Sequence, residues 1–356
     1  MKILQNIYLA IVIFVLSLFL FGYALVCHEF SAPSGKVEEK TIEIKPGGID
    51  SIASTLYQEG LIRNRYLFIL YAKVFGKNNM KAATYTLSTD MDTREIIKIL
   101  SEGKGSNSKE ISITFKEGWN VRRIAKVIEE NTNHTVDEVY NTLADEDFLK
   151  RMIVKYWFLD DEILNKEIYY PLEGYLSPDT YNYSSKDEDI EVILEKMIAE
   201  TSKKIESKKD EITSSSKSIQ EIFTLASIVE LEGNTLEDRK GIAGVFQNRL
   251  LKGMNLGSDV TTYYGARVDM GERDLYASEV NACNSYNTRC PSFKRLPVSP
   301  ICNPSLDSII AALEPDDSEY LYFVADKNMK IYFSKTLNEH NNKIRELKEK
   351  NLWLEY

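Results

Sequence analysis

At 356 residues, with 43% hydrophobic and 28% charged residues, the chain exceeds one compact core and is neither disordered nor wholly membrane-embedded. Its net charge of −10 argues against a nucleic-acid partner, because phosphate binding shows as clustered Lys and Arg on a basic background. Neutral or hydrogen-bonded substrates fit better.

In chain order, the first element is an uncharged apolar run from Ile7 to Cys27, enough to cross the ~30 Å hydrocarbon layer as a helix. Tyr8 and Tyr23 suit its two interfaces, and Lys2 favours a cytoplasmic N-terminus with the remainder outside. The rival is a cleaved signal peptide, whose apolar core is ~7–15 residues long and ends at a small-residue cleavage site. Ala24-Leu25-Val26-Cys27 lacks that ending and is a poor lipoprotein box, so a retained anchor is favoured. The expected organisation is therefore a cytoplasmic tail over 1–6, a transmembrane helix over 7–27 and a spacer over 28–40 punctuated by Pro33 and Gly35.

A first module is expected over 41–105. Ile42 and Ile44 alternate as in a strand, Pro46-Gly47-Gly48 turns the chain, and Ile49, Ile52, Ala53 and Leu56 follow at helical spacing. Thr84 to Leu87 reads as a returning strand, then Thr93 as a cap before Ile96, Ile97 and Leu100. An intermediate α+β region over 106–217 repeats the order: Ile113 and Phe115 alternate, Glu117-Gly118 turns, and Val121, Ile124, Ala125 and Val127 resume helical spacing. Asp187 to Lys209 reads as a long helix with a solvated Glu/Lys face, and Ser214-Ser215-Ser216 breaks it at a possible domain boundary.

The chemistry falls in 218–356. Ser218-Ile219-Gln220-Glu221 is a capping box, so a helix begins there, with Ile222, Leu225 and Val229 on one face. The next position on that stripe is Glu232, a carboxyl where a core leucine is expected. Apolar surroundings raise a carboxyl pKa, as a general acid near neutrality requires. Glu230 lies about 200° around the helix from Glu232, so both cannot face one groove squarely. The alternative is that both carboxylates are simply solvated near a helix end marked by Gly233.

Downstream, Thr235 and Asp238 form a second box before Ile242, Val245, Phe246 and Leu250, with Gln247, Asn248 and Arg249 alongside. Ser258, Asp259, Thr261, Tyr263, Tyr264, Tyr286 and Asn287 supply hydroxyl, amide and aromatic groups of the kind that suit sugars, and also ordinary packing. Cys283 and Cys290 lie close enough to pair in an oxidising compartment, leaving Cys302 free; a reducing habitat leaves all three reduced. Their spacing matches no zinc pattern. His28 and His134 read as surface residues, and His340 as a structural hydrogen-bond donor.

The runs Leu225-Ala226-Ser227-Ile228-Val229-Glu230-Leu231-Glu232 and Val245-Phe246-Gln247-Asn248-Arg249-Leu250 closely resemble the signature of the endolytic murein transglycosylases, the YceG-like lytic transglycosylases. Further matches follow in the family's order: Lys116-Glu117-Gly118-Trp119, Leu172 to Tyr181, Ser258-Asp259, Tyr264-Gly265, Tyr286-Asn287-Thr288, Tyr320 to Ala325, and Glu339-His340-Asn341. The resemblance implies an α+β chain with a membrane anchor, a LysM-like module and a catalytic domain distantly lysozyme-like in its active helix. It puts the catalytic glutamate on Glu232, with Glu230 as a possible support and Gln247, Asn248, Ser258, Asp259, Tyr264, Tyr286, Asn287 and Glu173 as substrate contacts. Neither metal nor cofactor is implied. The implied reaction cuts the MurNAc–GlcNAc bond outside the cell to give 1,6-anhydro ends, terminating nascent strands beside peptidoglycan synthases. A water-dependent muramidase and a non-catalytic glycan-binding or division scaffold are the alternatives. The chain departs from the family's Gly-Leu-Pro-Pro-Gly-Pro-Ile at Arg295-Leu296-Pro297-Val298-Ser299-Pro300-Ile301 and carries Val260-Thr261-Thr262 for Pro-Thr-Val, which puts the groove's loop geometry in question.

Overall fold

Alternating apolar residues and capped amphipathic runs build the chain from short sheets and many helices, an α+β mixture. In the computed structural model the described residues are 14, 17, 21–34, 37–45, 47–77, 80, 82–103 and 111–353. Most of the uncharged run 7–27 lies outside them. Residues 21–30 are helical, and among the described residues no helix is long and apolar enough to cross a membrane. The chain divides into two units, Met1–Ile111 with Ser184–Lys186, and Ser112–Tyr183 with Asp187–Tyr356.

In the first unit, β1 (Glu39–Ile44) is followed by α1 (Ile49–Gln58), α2 (Arg65–Val74), β2 (Ala83–Ser88) and α3 (Thr93–Glu102). The strands pair antiparallel with Ile42 opposite Tyr85 and Ile44 opposite Ala83. Ile42, Ile44, Tyr85 and Leu87 face a core filled by Ile52, Ala53 and Leu56 of α1, Phe68 of α2, and Ile96, Ile97 and Leu100 of α3. The cap of α3 is Asp92, not Thr93. Its carboxylate accepts the Arg94 and Glu95 N–H groups while Glu95 reaches back to the Asp92 N–H, closing a capping box.

The second unit opens within β3 (Ile111–Thr114), at Ser112, and β3 pairs with β4 (Thr180–Tyr183). Between them lie α4 (Val121–Asn131), α5 (Val136–Ala144) and α6 (Glu146–Lys155). Then come α7 (Ile190–Ile205) and α8 (Lys209–Ser214). α7 is solvated on one side only, for Ile190, Ile193, Leu194, Met197, Ile198 and Ile205 are buried. From α8 the chain passes into α9 (Ile219–Glu232) within the same unit, so 112–217 and 218–356 share one compact body except for 184–186.

α9 is its axis. The Ser218–Glu221 capping box starts it, but its burial is not a single stripe: Ile222 through Val229 are all buried, because neighbours cover every side. α10 (Leu236–Leu251) begins at the Thr235–Asp238 box, and α11 (Asp259–Gly265), a single turn at Ala277–Val280, α12 (Leu306–Leu313) and α13 (Leu337–Glu349) follow, with β5 (Tyr322–Ala325) and β6 (Ile331–Ser334) pairing antiparallel. α10 presents two glycines to its neighbours. A Cβ at Gly241 would strike the Phe333 ring, and one at Gly244 would sit 2.5 Å from the Asp316 carbonyl oxygen.

Candidate active site

Glu232 is the last residue of α9, where the helix stops and Gly233 returns its N–H to the Val229 carbonyl at 3.0 Å. Its position at the mouth of the helix leaves it only partly buried. The Ser258 hydroxyl donates to its Oε1 at 2.6 Å. Burial pushes the carboxyl up to about 6; Ser258 pulls it back, the Asp259 charge adds to the rise and Arg289 opposes it. A carboxyl of that kind holds a proton near neutrality and releases it readily.

Ser258 is itself fixed. Its N–H donates to Thr288 Oγ1 at 3.0 Å, its carbonyl accepts from Thr261 Oγ1 at 2.7 Å, and the Gly257 N–H reaches the Thr288 carbonyl at 3.0 Å. Asp259, next along the chain, pairs with Arg289. The loop carrying Thr288 and Arg289 is held at its base by Asn287, which donates to the Val280 and Ala282 carbonyls at 3.0 and 2.7 Å and accepts from Thr262 Oγ1 at 2.8 Å. A Cys283–Cys290 disulfide closes the same loop, while Cys302 is a free, buried thiol.

Glu230 takes no part in this arrangement. Its carboxylate accepts from Arg239 Nη2 at 2.9 Å, from the Ser305 N–H at 2.9 Å, and from the Ser305 and Ser308 hydroxyls at 2.6 Å each. Arg239 adds bonds to the Gly233 carbonyl and to Ser305 Oγ. Glu230 is thus a clamp joining the end of α9 to the starts of α10 and α12, its Oε1 held by Arg239 and its Oε2 by Ser305 and Ser308.

The remaining sequence candidates separate. Ser258 and Asp259 adjoin Glu232. Glu173 has no exposed surface; it accepts the Val121 N–H at 3.0 Å, the Tyr264 hydroxyl at 3.0 Å and Asn303 Nδ2 at 3.2 Å. Burial drives it up to about 8 against the pull of the Val121 N–H and Tyr264 hydroxyl. Tyr286 is enclosed, with its hydroxyl 2.8 Å from Ser299 Oγ, and Asn287 is enclosed with it. These three offer no accessible edge in this arrangement. Asn248 is spent on the Ser318 and Tyr320 carbonyls, and the Gln247 Oε1 is buried without a partner among the described residues. His340 stacks on Tyr322 at 5.5 Å, and its Nδ1 makes no hydrogen bond among the described residues. Among the described residues no group of three or more His, Cys, Asp and Glu is placed to hold a metal ion.

Residue-by-residue reading misses Arg239, Ser305 and Arg289. Arg239 carries a signal in retrospect: a basic residue one turn into a helix whose first turn is otherwise acidic, where a cation opposes the helix dipole unless a carboxylate holds it.

The YceG-like family model matches residues 42–346. The endolytic murein transglycosylase of Bacillus subtilis (strain 168) is 35% identical over 331 residues, covering 91% of this chain and 88% of that protein. The protein of the same name from Streptococcus pneumoniae serotype 2 is 30% identical over 320 residues, covering 86% of this chain and 58% of its own length. Among solved structures, the 2.6 Å crystal structure of a YceG-like protein from Listeria monocytogenes superposes with a TM-score of 0.61 at 36% identity, over 86% of this chain and 100% of that one. On a family model spanning most of its length and a relative matched nearly end to end, the chain belongs to the YceG-like family.

Proposed function

We propose that this chain is an endolytic murein transglycosylase that cleaves peptidoglycan glycan strands with Glu232 as its acid and base. The observation that carries the reading is Glu232 itself: a partly buried carboxyl at the end of α9, raised to about 6 by burial and hydrogen-bonded to Ser258. The protonated carboxyl gives its proton to the glycosidic oxygen as the bond to the anomeric carbon breaks. The resulting carboxylate takes the proton of the muramyl 6-hydroxyl, whose oxygen closes on the anomeric carbon to leave a 1,6-anhydro ring. No second carboxylate is needed, in keeping with Glu230 being occupied by Arg239, Ser305 and Ser308.

The βααβ order of the first unit supports reading 41–105 as a LysM-like module that holds glycan, and the lone acid at the end of a buried helix supports a lysozyme-like active helix. The uncharged run 7–27 supports a single-pass anchor with the enzyme outside the membrane, where strands emerging from synthases are within reach. Digestion of purified sacculi with the full chain, followed by mass spectrometry, is the test. Anhydro-ended fragments that vanish with Glu232→Gln are expected; reducing ends would convert the enzyme to a hydrolase, and cleavage undiminished in Glu232→Gln would remove the assignment.

A further inference from the structure

Beside the catalytic carboxyl a cleft of about 250 Å³ opens between the turn before α4, the end of α9 and α11. The Glu232 carboxyl is not on its wall, but Leu231, the residue before it, and Val260, the residue after Asp259, both are. The cleft therefore continues the catalytic position to one side. Its walls are chiefly apolar, from Leu231, Val260, Ile301, Met270, Tyr263 and Trp119.

Its charged groups are unequally committed. Among the described residues Asp269 is its one acid, and that carboxylate is already taken by Arg122 Nη2 at 2.5 Å and Asn120 Nδ2 at 2.9 Å. The Arg123 guanidinium pairs, among the described residues, with Glu130 alone, 3.4 Å away in an exposed contact that contributes little. It lies 5.2 Å from the Trp119 ring centre, and the Lys116 ammonium lies 5.9 Å from the same ring. Arg123 on the cleft wall and Lys116 just outside it thus bring two cations to the Trp119 ring in a chain with a net charge of −10. A neutral sugar ring stacks on an aromatic face left free, and finds hydrogen-bonding groups not already paired. An anionic chain with small apolar side groups fits these walls better.

We infer that this cleft takes the stem peptide carried by the muramyl residue at the cut, with its alanyl methyls against Leu231, Val260 and Ile301 and a carboxylate on Arg123 and Lys116. The inference rests on the murein-cleaving reading and adds its specificity: peptide-bearing strands are the preferred substrate and stripped strands the poor one. Arg123 is a specificity residue, remote from the proton transfers.

Arg123 is exposed enough to be replaced without loss of the core, so Arg123→Ala is the informative variant. Rates of the full chain are compared on peptide-bearing strands and on the same strands stripped by an amidase. At least a tenfold preference in kcat/KM for the former is expected. Arg123→Ala reduces that ratio at least fivefold, through KM and not kcat. In parallel, a soluble disaccharide bearing the peptide and its peptide-free counterpart are titrated calorimetrically into Glu232→Gln. The first binds at least tenfold tighter, and Arg123→Ala in that background removes the difference. Equal rates on the two strands, a preference that survives Arg123→Ala, or equal weakening of both disaccharides would overturn the inference, the last by making the cleft a sugar site. Should the wild-type chain release no anhydro ends from either strand, the transglycosylase reading fails on its own, and the titration still decides what the cleft binds.

Discussion

Replacing Ser258 with Ala deletes the hydroxyl that donates to Glu232 Oε1 at 2.6 Å and leaves the rest of α11 in place. That hydrogen bond stabilises the ionised carboxylate, so it holds the pKa below where burial alone would put it. A hydrogen bond to a charged acceptor is worth about 1.5–3 kcal/mol, and the partial exposure of Glu232 takes roughly half of that away. At about 1.4 kcal/mol per pH unit, the loss raises the carboxyl by about 1 unit. Because the reaction begins from the protonated acid, activity falls as pH rises through the pKa. The alkaline limb of kcat/KM, centred near about 6 in the wild-type chain, then moves to about 7 in Ser258→Ala. The assay is the pH profile of initial cleavage rates on purified strands, followed over roughly two pH units on either side of that limb. A limb that stays where it was, with only a lower plateau, would mean that Ser258 merely packs. A limb displaced to lower pH would refute the account of how the carboxyl is tuned.

Other outcomes follow from neighbouring features. Glu230→Gln breaks the buried pair with Arg239 and should lower stability by about 3 kcal/mol in denaturant titration, while the folded fraction keeps its turnover; unaltered stability with lost turnover would make Glu230 part of the chemistry. Glu173 has a folded pKa near 8 against an ordinary 4.5, so its stabilising contribution is complete below about pH 4.5 and is lost as pH rises through 8. Glu173→Gln should therefore flatten the decline of Tm across that window, and an unchanged slope would show that Glu173 is ionised throughout. Reducing the Cys283–Cys290 disulfide should cost about 2 kcal/mol at most for so short a loop, read as a shift in the denaturation midpoint with and without reductant. A shift several-fold larger would mean that the loop organises far more than Ser258 and Asp259.

Features encoded within a few residues are legible in the chain itself. The Ser218–Glu221 and Thr235–Asp238 boxes are such cases, as are the alternation at Ile42 and Ile44 and the halt at Gly233, since each depends on side chains meeting backbone one turn away. The cap of α3 shows the limit of that locality: Asp92 and Thr93 are both good acceptors, and only the backbone angles decide which one lies outside the helix. Contacts across long stretches are opaque. Nothing near Glu230 announces Ser305 and Ser308, some 75 residues on, and nothing near Tyr286 announces that Ser299 and Tyr169 will enclose it. The sugar-friendly appearance of Tyr286 and Asn287 comes from residue type, and residue type does not distinguish a groove from the packing behind it. Likewise, α9 reads as one-sided because a stripe at helical spacing is visible in any helix, whereas cover on its other sides depends on elements far away in the chain.

Exchanging helix-interior glycine for alanine is an ordinary way to make an enzyme hardier, gaining roughly 1 kcal/mol per site where the backbone allows it. In α10 that remedy points the wrong way. A methyl at Gly244 would meet the Asp316 carbonyl oxygen at 2.5 Å, and one at Gly241 would meet the Phe333 ring, so each would wedge the helix off its neighbours. Arg239, which ties α10 back to Glu230 and to the carbonyl beside Glu232, would move with it. Anyone engineering tolerance to heat should therefore leave this helix bare and look to surface positions elsewhere, because the two smallest residues in α10 set how closely Phe333 and the Asp316 backbone can lie against it.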